Sequence, residues 1–195
     1  MLLLLTASYP ALAYSDIGLL KNQKTAGFFA LLPTDSADFS PGFVYHQKQN
    51  DSFALEFSGV NYYKIYPFMK NVVKLRADGQ YKLLKIDSTT VTVVVGPTLY
   101  YAAGVGAGLA VNLGGILSAK ILDNLAVALT ATTTIFKDGT GCDLSSMIYF
   151  VPGWLKNTEF YGGGRLEAAM VGFPISGTSS SKLNNYLCAG VRIGL

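Results

Sequence analysis

The stretch 99–113 alternates between two kinds of side chain, and this alternation constrains the fold more than any other feature of the chain. The odd positions are apolar or aromatic, whereas the even positions are mostly Gly and Ala. A period of two places the two sets on opposite faces of a β-strand. A membrane helix that packs through a GxxxG face would repeat its small residues every three or four positions instead. The pattern therefore predicts a strand.

The same alternation recurs in other segments of about ten residues. An apolar face opposes a face of small or polar residues, which is typical of transmembrane β-barrel strands. The clearest examples are 52–60, 125–136, 160–173 and 184–195. A soluble sandwich also alternates, but its polar face meets water and carries charges. Here only 14% of residues are charged and none lies between Ser88 and Ala119. A water-facing surface that long without charge would be unusual.

We therefore predict an all-β protein, an antiparallel transmembrane up-and-down β-barrel of about eight strands, with ten as the alternative count. A soluble β-sandwich and a helical membrane protein remain the alternative classes. In threading the chain, "ADG" at 77–79 is interpreted as a turn, and 91–95 either continues across Gly96-Pro97 or forms a separate strand. The loops 137–143 and 174–184 are placed outside, and the turn at Asp123 on the periplasmic side. The predicted strands are 42–48, 52–60, 71–76, 81–86, 99–113, 125–136, 145–151, 158–173 and 184–195.

The N-terminus has the pattern of a secretory signal. An apolar run is followed by Ala11-Leu12-Ala13, an A-x-A cleavage site, although the usual positive n-region is missing. The expectation is a signal peptide at 1–13 and one barrel domain at 14–195, and the alternative is a buried N-terminal segment. Net charge is +3 without a dense Lys/Arg block, so no nucleic-acid partner is predicted.

Three charged residues fall on predicted lumen faces. Arg165, Glu167 and Arg192 lie on neighbouring strands, and we predict a cross-strand Glu167–Arg192 pair. Buried charges must be paired whatever the function. The pair therefore fits a structural plug of the lumen or a conducting or gating role.

Aromatic residues and cysteines complete the predicted wall. Barrels carry aromatic girdles at both interfaces. We place Tyr100, Tyr101 and Phe136 in the outer girdle and Trp154 and Phe160 in the inner one; the alternative is core aromatics of a soluble sheet. Cys142 and Cys188 form either an external disulfide or two free thiols. No Cys/His cluster suggests a metal site.

Three stretches carry a resemblance. "AGVGAGLAVNL", "DNLAVALTATTTIF" and "YLCAGVRIGL" are similar to pieces of small bacterial outer-membrane β-barrel proteins of the OmpA-like and OmpW-like kind. The resemblance covers about 99–195. It implies an outer-membrane location, contact with membrane lipid and lipopolysaccharide, and assembly by the barrel-assembly machinery, which reads the terminal residue, here Leu195. No cofactor is implied.

The function expected from this resemblance is structural, adhesive or a narrow passage for small solutes. An outer-membrane lipid hydrolase or acyltransferase using His46 is the enzymatic alternative, but the His-x-Ser arrangement of such enzymes fails because Gln47 and Lys48 follow. Catalysis by His46 also needs a base oriented by a third group. A secreted soluble β-sandwich that acts as a binding module is the third alternative.

Overall fold

The computed structural model describes residues 19–20, 23–34, 38–66, 69–103, 106–137, 139–169 and 182–195. The predicted signal peptide 1–13 lies outside these ranges. The described chain contains ten strands: β1 Lys24–Pro33, β2 Ser40–Lys48, β3 Phe53–Tyr66, β4 Met69–Ile86, β5 Thr89–Ala102, β6 Gly106–Leu122, β7 Leu125–Phe136, β8 Gly139–Phe150, β9 Thr158–Ala169 and β10 Lys182–Gly194. None of the described residues forms a helix long and apolar enough to cross a bilayer.

The strands close into one antiparallel barrel. Each strand pairs with its neighbours along the chain, and β1 pairs with β10 from Thr25↔Gly194 to Pro33↔Tyr186. Closure continues to the last residue, where the Leu195 amide donates to the Lys24 carbonyl at 2.9 Å. When paired residues are followed from strand to strand once around the barrel, the path returns to β1 about twelve residues from where it began. This stagger tilts the strands by roughly 40° relative to the barrel axis. Closure leaves no sheet edge.

The barrel is apolar outside and polar inside. Every strand contributes at least one large apolar side chain that is 40% or more exposed on the outer wall. One from each strand, in order, is Phe28, Phe43, Phe57, Leu75, Leu99, Leu109, Leu129, Leu144, Leu166 and Leu187. Every strand also contributes a buried polar side chain to the lumen. In the same order these are Thr25, His46, Glu56, Arg76, Thr92, Asn112, Thr132, Asp143, Arg165 and Arg192. This polarity is opposite to that of a soluble domain.

The barrel prediction is confirmed, and the strand number is ten, the alternative count, rather than eight. Two local assignments were wrong. The "ADG" segment lies inside β4, because alternation continues through it, with Arg76, Asp78 and Gln80 buried. The predicted strand 99–113 is a hairpin, since β5 ends at Ala102 and β6 begins at Gly106. The segment 91–95 does continue across Gly96-Pro97, within β5.

The two ends of the barrel differ. We call the end that carries the start of β1 and the close of β10 the terminal end, and the opposite end the loop end. The connections 49–52, 87–88, 123–124 and 151–157 lie at the terminal end. The β7–β8 and β9–β10 connections lie at the loop end, so they share one side, as predicted. The β2–β3 turn is held by Asn50, whose side-chain oxygen accepts from the amides of Ser52 and Phe53 at 2.8 and 2.9 Å.

Two adjacent glycines of β9 provide a test of the wall packing. A Cβ on lumen-facing Gly163 would overlap the backbone of Ser146 on β8, whereas a Cβ on Gly164 would meet nothing within 4 Å. We expect Gly163→Ala to lower the free energy of unfolding by about 1–3 kcal/mol. We expect Gly164→Ala to change it by less than about 0.5 kcal/mol. Urea unfolding of the detergent-folded variants measures both, and equal losses would contradict this wall geometry.

Candidate functional site

The lumen holds the charged side chains that the membrane-type exterior excludes. They form two groups, separated along the barrel axis. The loop-end layer consists of Tyr62, Lys74, Asp143, Arg165 and Glu167. The terminal-end layer consists of His46, Glu56, Gln80, Glu159 and Arg192. All of these side chains belong to buried residues.

Arg165 on β9 organises the loop-end layer. Its Nη2 donates to Asp143 Oδ2 of β8 at 2.8 Å and lies 3.5 Å from Glu167 Oε1. The same nitrogen donates to the Tyr62 hydroxyl at 3.3 Å, which reaches across the lumen from β3. The guanidinium also stands 5.7 Å from the Tyr186 ring centroid. One cation thereby joins β3, β8, β9 and β10 across the barrel interior.

An aromatic collar surrounds this layer. Lys74 Nζ lies 4.7 Å from the centroid of Tyr100, and Tyr100 packs on Phe136 with centroids 5.1 Å apart. Across the lumen, Tyr62 meets Tyr186 edge-on at 6.2 Å. Aromatic faces stabilise desolvated cations. The collar therefore fills space and interacts favourably with the cations it encloses.

Arg192 on β10 organises the terminal-end layer. Its Nε donates to Glu159 Oε1 at 2.9 Å, and its Nη2 contacts the same oxygen. The guanidinium lies beside a pair of packed rings, 5.3 Å from the Tyr149 centroid and 5.8 Å from that of Tyr161, and these two centroids are 5.8 Å apart. Neither Arg192 nor Glu159 is exposed at all. No water-sized probe therefore reaches this ion pair.

Glu56 and His46 complete this layer from the strands β3 and β2. Glu56 Oε2 accepts from Gln80 Nε2 at 3.1 Å, and both residues are buried. The register places His46 of β2 directly opposite Glu56 of β3, and Thr25 of β1 opposite His46. A cavity of about 20 Å³ touches His46 and Gln80 and reaches the β2–β3 turn.

A hydrogen-bonded cross-link lies between the two layers. Arg76 and Asp78 form an ion pair on β4. Asn112 of β6 donates to Asp78 at 3.5 Å and to Thr98, and it accepts from Thr134 at 2.6 Å. The side chains of β4 to β7 are thereby tied to one another inside the barrel.

The structure corrects the predicted charge pairing. Asn184, not Arg192, lies opposite Glu167 in the β9–β10 register, while Glu159 lies opposite Arg192. Arg192 and the position facing Glu167 are therefore on the order of 25 Å apart along β10. The alternation of faces along the strands predicted that Arg165, Glu167 and Arg192 point into the lumen. Alternation gives no information on strand register, so it could not show which residues lie opposite one another.

The aromatic residues divide between the two faces. Tyr101 and Phe160 are exposed on the outer wall, and Trp154 is exposed in the β8–β9 connection at the terminal end. Tyr100 and Phe136 lie in the lumen collar instead of the predicted girdle. Their even positions place them on the inner face of β5 and β7, and that face packs them around Lys74.

Both cysteines are free. Cys142 lies on the outer face of β8, whereas Cys188 is buried on the inner face of β10, so the wall separates the two thiols and, of the two alternatives, the structure has the free thiols and not the disulfide. His46 is fully buried and faces the lumen. A lipid hydrolase that works on the barrel wall would need its histidine on the other face. Ser52 is exposed in the β2–β3 turn.

Several lumen residues were not identified as candidates from the sequence. Glu56 was recognised only as part of an alternating strand, and the β4 charges were hidden by the false turn at 77–79. Following the alternation of faces without interruption along β4 would have identified the β4 charges, since every second residue is buried. The missed lumen charges are Glu56, Lys74, Arg76, Asp78, Asp143 and Glu159.

The outer wall carries one large groove, of about 810 Å³. The residues that line it are mainly short consecutive runs on the adjacent strands β6 to β10. The floor of the groove is therefore the sheet of the barrel wall itself. Small residues of the outer face deepen it, among them Gly115 and Gly164, and Leu117, Leu129 and Leu144 flank it. An apolar groove at this depth is suited to acyl chains.

A closed antiparallel barrel with an apolar wall and a charged lumen decides the fold class. The chain has the fold of small outer-membrane β-barrel proteins. No protein-family model matches the chain, and no curated protein matches it. Among solved structures it is similar to "KdgM porin in complex with disordered oligogalacturonate", with 9% identity, a TM-score of 0.49, and coverage of 88% of this chain and 99% of that one.

A second similar structure is Neisserial surface protein A, with 16% identity, a TM-score of 0.31, and coverage of 88% of this chain and 94% of that one. Both TM-scores are low. The fold assignment rests on this chain's own register and on the chemistry of its two faces.

The buried Arg192–Glu159 pair provides a second test. Glu159→Gln leaves a desolvated guanidinium without its countercharge, so we expect a loss of about 3–5 kcal/mol in the free energy of unfolding. The matched control is Asp123→Asn, which breaks the exposed Lys120–Asp123 pair of 2.7 Å. That change should cost less than about 1 kcal/mol. Equal effects in urea titrations would show that the Arg192–Glu159 pair is solvated.

Proposed function

We propose that the protein is an integral protein of the bacterial outer membrane whose lumen is closed, and that it acts as a structural barrel. The observation that carries this proposal is the inverted polarity. Phe28 and Leu109 are each 73% exposed on the outside, while Arg192 and Glu159 are fully buried inside. In water this arrangement would expose a continuous apolar belt. In a bilayer the same belt is the favourable surface.

The closed lumen supports a structural role over a wide pore. Two layers of paired charges and the rings around them occupy the interior at different depths. A barrel of ten strands is only slightly wider than one of eight, in which side chains fill the interior. The same features make membrane lipid and lipopolysaccharide the expected neighbours of the wall and the barrel-assembly machinery the expected assembly partner.

The connections at the loop end bear on the adhesive alternative. Three of the five span two or three residues, at 67–68, 103–105 and 137–138. The β1–β2 connection spans 34–39, and the β9–β10 connection, 170–181, is the longest of the five. Short connections offer little surface for a macromolecular partner, so an adhesive role would depend mainly on the β9–β10 connection.

Depth-dependent substitution tests the membrane location. Leu144 in the middle of the wall and Leu122 at the terminal end are similarly exposed, at 53% and 59%. In a bilayer, Leu144→Arg should cost about 2–4 kcal/mol and Leu122→Arg about 0–1 kcal/mol. Reversible folding into phospholipid vesicles measures the difference.

The wild-type chain is the reference, and Leu144→Ala is the control for lost side-chain volume. In a soluble barrel both positions would be surface sites, and an arginine would cost little at either. Equal and small effects of Leu144→Arg and Leu122→Arg would therefore contradict the membrane proposal.

A narrow passage for small solutes is the second candidate. One feature of the lumen favours this function. Charged and hydrogen-bonding side chains line the lumen, whereas a barrel with a purely structural role could fill the same space with leucine. Planar-bilayer recording separates the two functions. The closed terminal-end layer predicts no steady conductance in the wild type. Stable open-channel conductance would favour the passage and contradict the structural role.

A further inference from the structure

The charges of the terminal-end layer do not balance unless it holds an extra proton. Among the described lumen residues of this layer, Arg192 supplies one positive charge, and Glu56 and Glu159 are two carboxylates. Glu159 is paired with Arg192 at 2.9 Å, whereas Glu56 accepts a hydrogen bond from neutral Gln80. With a neutral His46, the layer would carry one uncompensated buried negative charge.

The surrounding strands do not remove this imbalance. On β4, Asp78 is paired with Arg76, so that pair adds no net charge. Arg76, Asp78 and Arg192 are the charged groups whose fields act on Glu56. Tyr149 and Tyr161, on β8 and β9, both lie beside the Arg192 guanidinium.

Lys48 is the nearest cation on the same strand as His46. Its Nζ is bound to Asp51 at 3.1 Å, and that carboxylate is 96% exposed at the rim. This contact holds the Lys48 ammonium at the rim of the barrel. The loop-end layer is neutral by itself, since Lys74 and Arg165 balance Asp143 and Glu167. It therefore supplies no net positive charge to the terminal-end layer.

His46 is the one histidine of the chain, and it lies directly opposite Glu56 on the neighbouring strand. The cavity of about 20 Å³ beside His46 is large enough for one water molecule. The residues of the β2–β3 turn also line this cavity, so it provides a short route for a proton from the terminal end.

We infer that His46 and Glu56 together hold one proton in the closed barrel, and that loss of this proton as the pH rises loosens the terminal-end layer. The proton resides either on the imidazole or on the Glu56 carboxyl group, which lie at directly opposite positions of β2 and β3. Both states cancel the layer's net charge, so the proton belongs to the pair. This inference rests on the described lumen and not on the membrane location.

The pH dependence follows from the number of protons bound. An ordinary imidazole loses its proton near about pH 6.5 and an ordinary glutamate is ionised well below that. Between about pH 7 and pH 8 the unfolded chain therefore binds almost no proton at these two groups, while the closed barrel binds one. Stability then falls as the pH rises, and the unfolding equilibrium constant should increase about tenfold per pH unit.

Two substitutions test this slope in detergent-folded protein. Glu56→Gln removes the charge and keeps a group that can bond Gln80, so the slope between about pH 7 and pH 8 should flatten. Lys48→Gln is the matched control on β2 and should keep the wild-type slope. A wild-type slope in Glu56→Gln, or a flat slope in the wild type, would overturn the inference.

Direct detection of the proton does not depend on a variant that folds. Because the chain has one histidine, isotope-labelled imidazole gives a single set of resonances that reports the protonation of His46. Infrared absorption of protonated carboxyl groups reports Glu56. At about pH 7.5 we expect either a cationic imidazole or a protonated Glu56. A neutral imidazole together with fully ionised carboxyl groups would overturn the inference, whatever the outcome of the membrane-insertion test.

Discussion

Closure of the sheet is the constraint on which the rest of the structure depends. A bilayer offers no water to backbone amides, so a strand can cross it only when both of its edges are paired. The β1–β10 register provides the final pairing and continues to the Leu195 amide. Once the sheet is closed, every strand has one face toward the outside and one toward a narrow interior. The exterior can then be leucine and phenylalanine, and all buried charge must be compensated inside.

The buried charges of the two lumen layers are compensated in different ways. At the loop end one arginine reaches two carboxylates and a tyrosine hydroxyl, and an aromatic collar surrounds the site. At the terminal end the arginine lies beside two packed rings and is bound to one carboxylate, while a second carboxylate lies opposite a histidine. The first layer is balanced by fixed charges and the second by a proton. Buried pairs of this kind contribute little net stability, but they make opening of the lumen costly because separating them leaves bare charges.

Alternation along the chain predicted faces well and turns poorly. In β3, β7, β9 and β10 the apolar positions lie outside and the small or polar positions inside, as expected. The strand β1 was missed because "KTAGFFALLP" is apolar on both faces, since Phe29 and Leu31 pack in the lumen. The "ADG" stretch was mistaken for a turn because its composition suits one, although the flanking register with β3 and β5 holds it extended. In this segment the local composition favours a turn, whereas pairing with both neighbouring strands favours extended structure, and the pairing determines the conformation.

The sequence by itself determined the class of fold, the direction in which most side chains point and three of the buried charges, Arg165, Glu167 and Arg192. These properties depend on a period of two, which is local and survives any error in strand limits. Only the tertiary structure decided which charges meet. Arg192 binds Glu159 and Arg165 binds Asp143 because the register and stagger of the closed barrel bring them together. Register depends on all ten strands at once, and shifting one strand by two residues preserves every face but changes every partner.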